Sequence, residues 1–227
     1  MAISTYAGNL ILDAMLNQGS AQIATAYCSL HSGDPALTGA NELSGGSYAR
    51  VLTEFDAPAA GVTDTTNQEL FAAASGDWPE ATHAGLFDAL SGGNFLIGGA
   101  VDTPMTVLTA QVARWSADDL DITFATAFSA AYLDHMLNAL FRNTELTVAT
   151  LYASLHTATP GLTGANELSG NGYARVDCSA CFPAADAKSC TSDVEFETPL
   201  ATGSNWPAAT HSGLWAHASE TGASYFI

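Results

Sequence analysis

Residues 30–51 read LHSGDPALTGANELSGGSYARV and residues 155–176 read LHTATPGLTGANELSGNGYARV; the two strings align without a gap and agree at most positions. A second block, WPEATHAGLF from Trp78 to Phe87, returns as WPAATHSGLW from Trp206 to Trp215. Upstream, Leu12-Asp13-Ala14-Met15-Leu16 pairs with Leu133-Asp134-His135-Met136-Leu137. Three blocks in one order read as a tandem duplication, and a repeat resets the domain count before any other argument. The 227 residues divide into one module over 1–124 and a second over 125–227. Residues 5–97 and 127–227 are expected to share one topology, differing mainly around Asp177–Asn205.

The copies are not equal in length. His31 and His156 are 125 positions apart, while His83 and His211 are 128 apart, so copy two carries three extra residues between the blocks. The cysteine cluster falls in that interval and reads as an addition to the module. Ile97 aligns with Ile227, whereas copy one continues through residues 98–124 and the alternating run Asp119–Phe124, which reads as a strand. Copy two is therefore expected to lack the last strands, and its edge near Tyr225–Ile227 to pair with another subunit or with further polypeptide.

Each copy opens on an amphipathic helix. Ala7, Leu10, Ile11, Ala14 and Met15 follow helical spacing, with Gly19 as a stop, and Phe128, Tyr132, Leu133, Met136, Leu137, Leu140 and Phe141 form a wider stripe. Covering the module's own sheet is the expected use of each. Short strands are expected over 23–30, 48–55, near 68–72, 82–88, 94–101, 120–124 and 148–155, with Gly/Asn/Ser turns between them. The predicted fold class is mainly β with α: two tandem antiparallel β-sandwich modules, each preceded by its helix.

Charge excludes several partners. Five Lys plus Arg stand against 23 Asp plus Glu, a formal net charge of −18. Nucleic acid and anionic membrane surfaces both require cations that the chain does not have. No apolar run approaches the ~20 residues of a membrane span, and Met1 to Tyr6 has no basic segment of a secretory signal.

The polar residues shared by both copies are His31/His156, Glu42/Glu167, Arg50/Arg175, Trp78/Trp206 and His83/His211. A hydrolase would need a nucleophile beside an oriented His; Ser44/Ser169 with His83/His211 is the arrangement to test, and no G-x-S-x-G elbow accompanies it. Two His with Glu42/Glu167 match no compact metal-ligand spacing. The architectural reading assigns structural roles to Glu42, Arg50, Trp78, His83, Glu167, Arg175, Trp206 and His211. Glu42 and Arg50 pair across the Gly-rich turn, as do Glu167 and Arg175; the Trp-Pro pairs anchor sheet edges and the His are strand positions. Cys178, Cys181 and Cys190 admit a disulfide, free thiols or part of a zinc site, though no fourth ligand lies close by. No catalytic residue, metal or cofactor is expected.

Residues Leu155 to Glu167, with Ser169-Gly170 and Tyr173-Ala174-Arg175, resemble a family of small tailed-bacteriophage virion proteins, labelled tail-fibre or capsid decoration proteins. The segments Thr82 to Asp88 and Ser91-Gly92-Gly93-Asn94 match the same family. The resemblance implies a non-enzymatic structural protein of the virion, assembled in the bacterial cytoplasm. Members of the family are single modules, so the fused pair departs from the pattern. Decoration or cement bridging major capsid protein subunits is the first expectation, because an acidic, neutral-surfaced double module suits avid binding to equivalent sites. The alternative is a tail or tail-fibre component contacting the host or the neck and tail assembly. That role would call for a trimeric stalk or aromatic-rich sugar-binding loops. Partners are expected to be other virion proteins, with homo-oligomerisation.

Overall fold

The computed structural model describes residues 2–16, 19–124, 128–182, 192–196, 206–216 and 226. In chain order the elements are β1 (Ala2–Ile3), α1 (Thr5–Leu16), β2 (Ser20–Ala21), β3 (Ala26–His31), β4 (Val51–Thr53), β5 (Val62–Thr63), β6 (Glu69–Leu70) and β7 (Ala81–Phe87). They continue with β8 (Phe95–Met105), β9 (Arg114–Trp115), β10 (Ile122–Thr123), α2 (Ala130–Phe141), β11 (Leu146–Thr147), β12 (Tyr152–His156), β13 (Val176–Asp177) and β14 (His211–Trp215). The chain is mainly β with two helices. Instead of two facing pairs of large sheets, the described strands are divided among a five-stranded sheet ordered β1-β8-β7-β3-β4, a three-stranded sheet β13-β12-β14 and three two-stranded ribbons. Many strands are only two residues long, because Gly and Pro turns interrupt the pattern so often.

The two main sheets repeat one register. Tyr27, Ser29 and His31 face Phe87, Gly85 and His83 across the β3–β7 ladder. Tyr152, Ser154 and His156 face Trp215, Gly213 and His211 across β12–β14. On the other side, Tyr27 faces Leu52 and Tyr152 faces Asp177. β8 covers the outer edge of β7, while among the described residues β14 has only the bridge from Trp215 to Phe226 on that side.

Structure corrects the sequence alignment at three places. Ser4 Oγ accepts the Ala7 N–H at 3.0 Å and Ser129 Oγ accepts the Tyr132 N–H at 3.2 Å, so equivalent helix caps lie 125 residues apart. The Leu12–Leu16 and Leu133–Leu137 blocks are therefore one helical turn out of step, an error that a periodic apolar stripe invites. The Tyr48–Phe71 ring stack (6.1 Å) recurs as Tyr173–Phe196 (6.3 Å), again 125 apart. The three extra residues thus fall between Phe196 and Trp206. Cys178 replaces Thr53 and is no insertion. Finally, Phe226 takes the place of Phe95: it meets Trp215 edge-on at 5.2 Å, as Phe95 meets Phe87 at 5.2 Å. Aligning Ile227 with Ile97 misplaced this aromatic by one residue. Tyr225 and Ile227 lie outside the described residues.

The halves share one buried core, which includes residues of both helices, the five-stranded sheet and the ribbons, with Ala153 and Leu214 of the three-stranded sheet packed against it. β2 pairs β11 with Ala21 opposite Leu146, equivalent positions facing each other as at a two-fold axis. α2 packs on the β5 hairpin of the first half, where it was expected to cover its own sheet. Its Asp134 carboxylate accepts the Gly61 N–H at 2.6 Å, and the Arg142 Nε–H donates to the Phe55 carbonyl at 3.1 Å. Gly61 sits at φ +81°, and a Cβ there would come within 2.8 Å of Leu133. Close approach of helix and turn requires the glycine.

One polar cluster lies inside this core. Glu69 is 2% exposed and accepts a hydrogen bond from the Thr53 hydroxyl at 3.0 Å; Thr53 Oγ1 in turn accepts the Cys28 N–H at 3.1 Å. Burial, reinforced by the nearby Glu54, pushes the Glu69 carboxyl up to about 7, against a favourable bond from Thr53. The folded state therefore holds a proton that the unfolded chain releases near pH 4.5. Stability should fall as pH rises from about 4.5 to 7, by as much as about 3 kcal/mol at ~1.4 kcal/mol per unit. Burial lowers the His31 pKa and gives the opposite slope, so wild type and variant must be compared directly. In urea titrations at pH 5 and pH 8, Glu69→Gln should be more stable than wild type at pH 8, and the difference should shrink to below about 1 kcal/mol at pH 5.

Candidate functional site

Each half places its repeated polar residues in one cluster at the end of the main sheet. In the first half, Arg50 Nε–H and Nη2–H donate to the two Glu42 carboxylate oxygens at 2.8 and 2.7 Å. Nη1 donates to the carbonyls of Ala89 and Gly92 at 2.7 and 2.6 Å, closing the β7–β8 turn. The guanidinium lies 3.3 Å from the centre of the Phe87 ring. The second half repeats the fork, Arg175 to Glu167 at 2.9 and 2.7 Å, with the guanidinium 3.4 Å above Trp215. The arginine side chains are only 7% and 3% exposed. A planar guanidinium is the group that can satisfy a carboxylate, turn carbonyls and a ring face together.

The remaining members support this pair. The Tyr48 hydroxyl accepts the Leu30 N–H at 2.9 Å and donates to Glu42 at 3.3 Å; Tyr173 does the same with Leu155 and Glu167 at 2.9 and 3.1 Å. Burial raises both phenols, Tyr173 to about 12, so both stay neutral donors at any physiological pH. Trp78 Nε1–H donates to the Gly46 carbonyl and Trp206 Nε1–H to Asn171, at 2.8 and 3.1 Å. The tryptophans thus clamp the Gly-rich loop and are not sheet-edge anchors. A Cβ on Gly46 would meet the Trp78 indole at 2.8 Å, whereas the second half makes the same bond with Asn171 at the equivalent position, also at positive φ (+51°).

His31 is fully buried. Its Nδ1 lies 2.7 Å from the Ala40 carbonyl, which can only accept, so Nδ1 carries the proton and Nε2 accepts from the Ser29 hydroxyl at 2.9 Å. His156 sits the same way between Ala165 and Ser154, where Ser154 Oγ also accepts the Trp215 Nε1–H at 3.0 Å. A serine beside a histidine suggests hydrolysis. Here the third partner is a carbonyl, both serines have no exposed surface, and no substrate reaches them. With both ring nitrogens committed, neither histidine is a metal ligand. His83 and His211 bond the neighbouring Thr82 and Thr210 hydroxyls at 2.8 Å, and Ser44 is exposed on the loop. Ser44 and His83 form no dyad. The roles of Tyr48/Tyr173 and Ser29/Ser154 were missed from sequence, although the tyrosines lie inside the repeated block and the serines immediately precede it.

The cysteines play a separate part. Cys178 is buried and free, its thiol pushed up to about 11 by burial and the nearby Asp177, and it donates to the Leu151 carbonyl at 3.3 Å. Cys28 is also free, whereas Cys181 is disulfide-bonded. Cys190 lies outside the described residues.

The sequence pattern of the family described as podophage GP4 fiber I protein gp80 matches residues 2–123 and again 127–226. The chain belongs to this family of phage virion fiber proteins, and it is a structural component of the virion, not an enzyme. No curated protein matches it. The family supports the tail-fibre alternative better than the first expectation of a capsid decoration or cement protein, because its description is that of a fiber protein.

Removing one partner of a buried ion pair leaves the other uncompensated, at about 3–5 kcal/mol. Arg50→Ala is expected to destabilise the chain by about 3 kcal/mol in chemical denaturation, and Arg50→Lys to recover less than half, lacking the fork. A loss within ~0.5 kcal/mol, typical of uninvolved surface residues, would contradict the assignment.

Proposed function

We propose that this chain is a tail-fibre subunit whose two halves, 1–124 and 125–227, are a tandem duplication of one module acting as a rigid double block between other virion proteins. The single observation that carries the reading is the fiber family's match to each half separately, over residues 2–123 and 127–226. Repeated register, repeated Glu–Arg pairs and repeated aromatic clamps support descent of both halves from one unit. The shared core supports rigidity, since the halves cannot separate without exposing apolar surface.

The five pairs of polar residues and tryptophans repeated between the halves serve architecture in this reading. Assembly contacts fall on the loops instead. Leu37 and Leu162, equivalent residues of the repeated loop, are 49% and 45% exposed, and Leu90 at the next turn is 54% exposed. Leucines presented at equivalent loop positions suit contacts with neighbouring subunits, whether copies of this chain or other fibre and tail proteins. The acidic balance of −18 disfavours a role against DNA.

Cryo-electron microscopy of the particle with the chain carrying a short epitope tag and bound antibody tests the assignment. The density should lie on fibres at the tail. Antibody density arrayed over the capsid shell would contradict it.

A further inference from the structure

We propose that the cleft between the outer half of β8, the β9 strand and residues 119–121 is a binding site for a neutral oligosaccharide. The cleft has a volume of about 570 Å³, within the usual range for small-molecule sites of about 300–1,000 Å³. The backbone at Gly99 forms part of its wall, and Asp102, Arg114, Trp115, Asp119 and Asp121 line it. The wall is built on paired strands: Trp115 faces Glu69 and Arg114 faces Leu70 in the β6–β9 ribbon. Trp115 is held edge-on against the buried Phe71 at 5.9 Å while staying partly exposed. Asp119 is fixed by accepting the Ser116 N–H at 2.8 Å.

The side chains select the ligand class. Arg114 makes no ion pair among the described residues, although three carboxylates line the same cleft. A separated guanidinium and carboxylates offer donors and acceptors to one ligand. A sugar uses both, its hydroxyls donating to carboxylates and accepting from Arg114, while its C–H face rests on an indole. Phosphates and other anions meet three carboxylates and an acidic protein. Simple cations meet Arg114, and a purely apolar ligand would strip water from every charge in the wall. The fibre reading enters only as the source of the sugar, the cell envelope; the chemistry of the cleft stands without it.

The test is calorimetry and ligand-observed NMR on the full chain with a panel of neutral oligosaccharides, two to four units long, covering hexoses, deoxyhexoses and N-acetylhexosamines. At least one should bind, and Arg114→Ala and Asp121→Asn, both exposed substitutions, should each weaken it about tenfold. Trp115→Ala should abolish binding. Circular dichroism of the two milder variants should stay unchanged, which keeps the test valid if Trp115→Ala unfolds. The proposal is overturned if nothing in the panel binds at about 5 mM. It also falls if both milder variants bind as wild type, or if spermidine or calcium occupies the cleft and displaces the sugar. A capsid location for the chain would sink the fibre reading while leaving sugar binding to stand or fall separately.

Discussion

A guanidinium can be buried only where a carboxylate and other acceptors meet it in its own plane, and each half of this chain is arranged around one such place. The Glu42–Arg50 fork ties the repeated loop to β4, the Nη1 bonds tie both to the β7–β8 turn, and Phe87 closes the face of the ring. The loop, the start of β4 and a turn about forty residues further on are fixed by one side chain. Tyr48 then links the carboxylate to the β3 backbone, and Trp78 fastens the glycines of the loop. With five cations in 227 residues, two are spent on these sites, which is why the pair reads as architecture.

The two halves repeat one polar frame and differ in their fillings. Phe87 becomes Trp215, which gains a hydrogen bond to Ser154. The buried Cys28, Thr53 and Glu69 give way to Ala153, Cys178 and Val194 at equivalent positions. The first half thus keeps a titrating carboxyl inside its core and the second keeps none there. The helices and the β2–β11 ribbon seal one core between the halves, so neither half needs a complete apolar shell of its own.

Repetition made much of this legible in the sequence. The Glu–Arg spacing, both helices and the central strands all follow from blocks that recur. What was hidden shares a physical reason: contacts that depend on offsets between weakly similar segments. The helix block at Leu12–Leu16 aligned one turn out because apolar spacing repeats every turn. Phe226 was displaced by one residue because ring packing, not sequence identity, marks its place. The packing of α2 on the Gly61 turn joins halves that the repeat presents as separate, and no local pattern announces it. The serine that does meet a histidine, Ser29 beside His31, was hidden too, and burial and a carbonyl partner decide its role.

The central claim is that these repeated residues form a static staple and not a working site. Native-state hydrogen exchange tests it most directly, at the amides of Leu43 and Leu168, which donate at 2.9 Å to Leu30 and Leu155 across the stapled loops. The account predicts that both exchange only through global unfolding, as slowly as the β3–β7 and β12–β14 ladders. Exchange by local opening, orders of magnitude faster than those ladders, would show loops that move independently of the sheet and would contradict it.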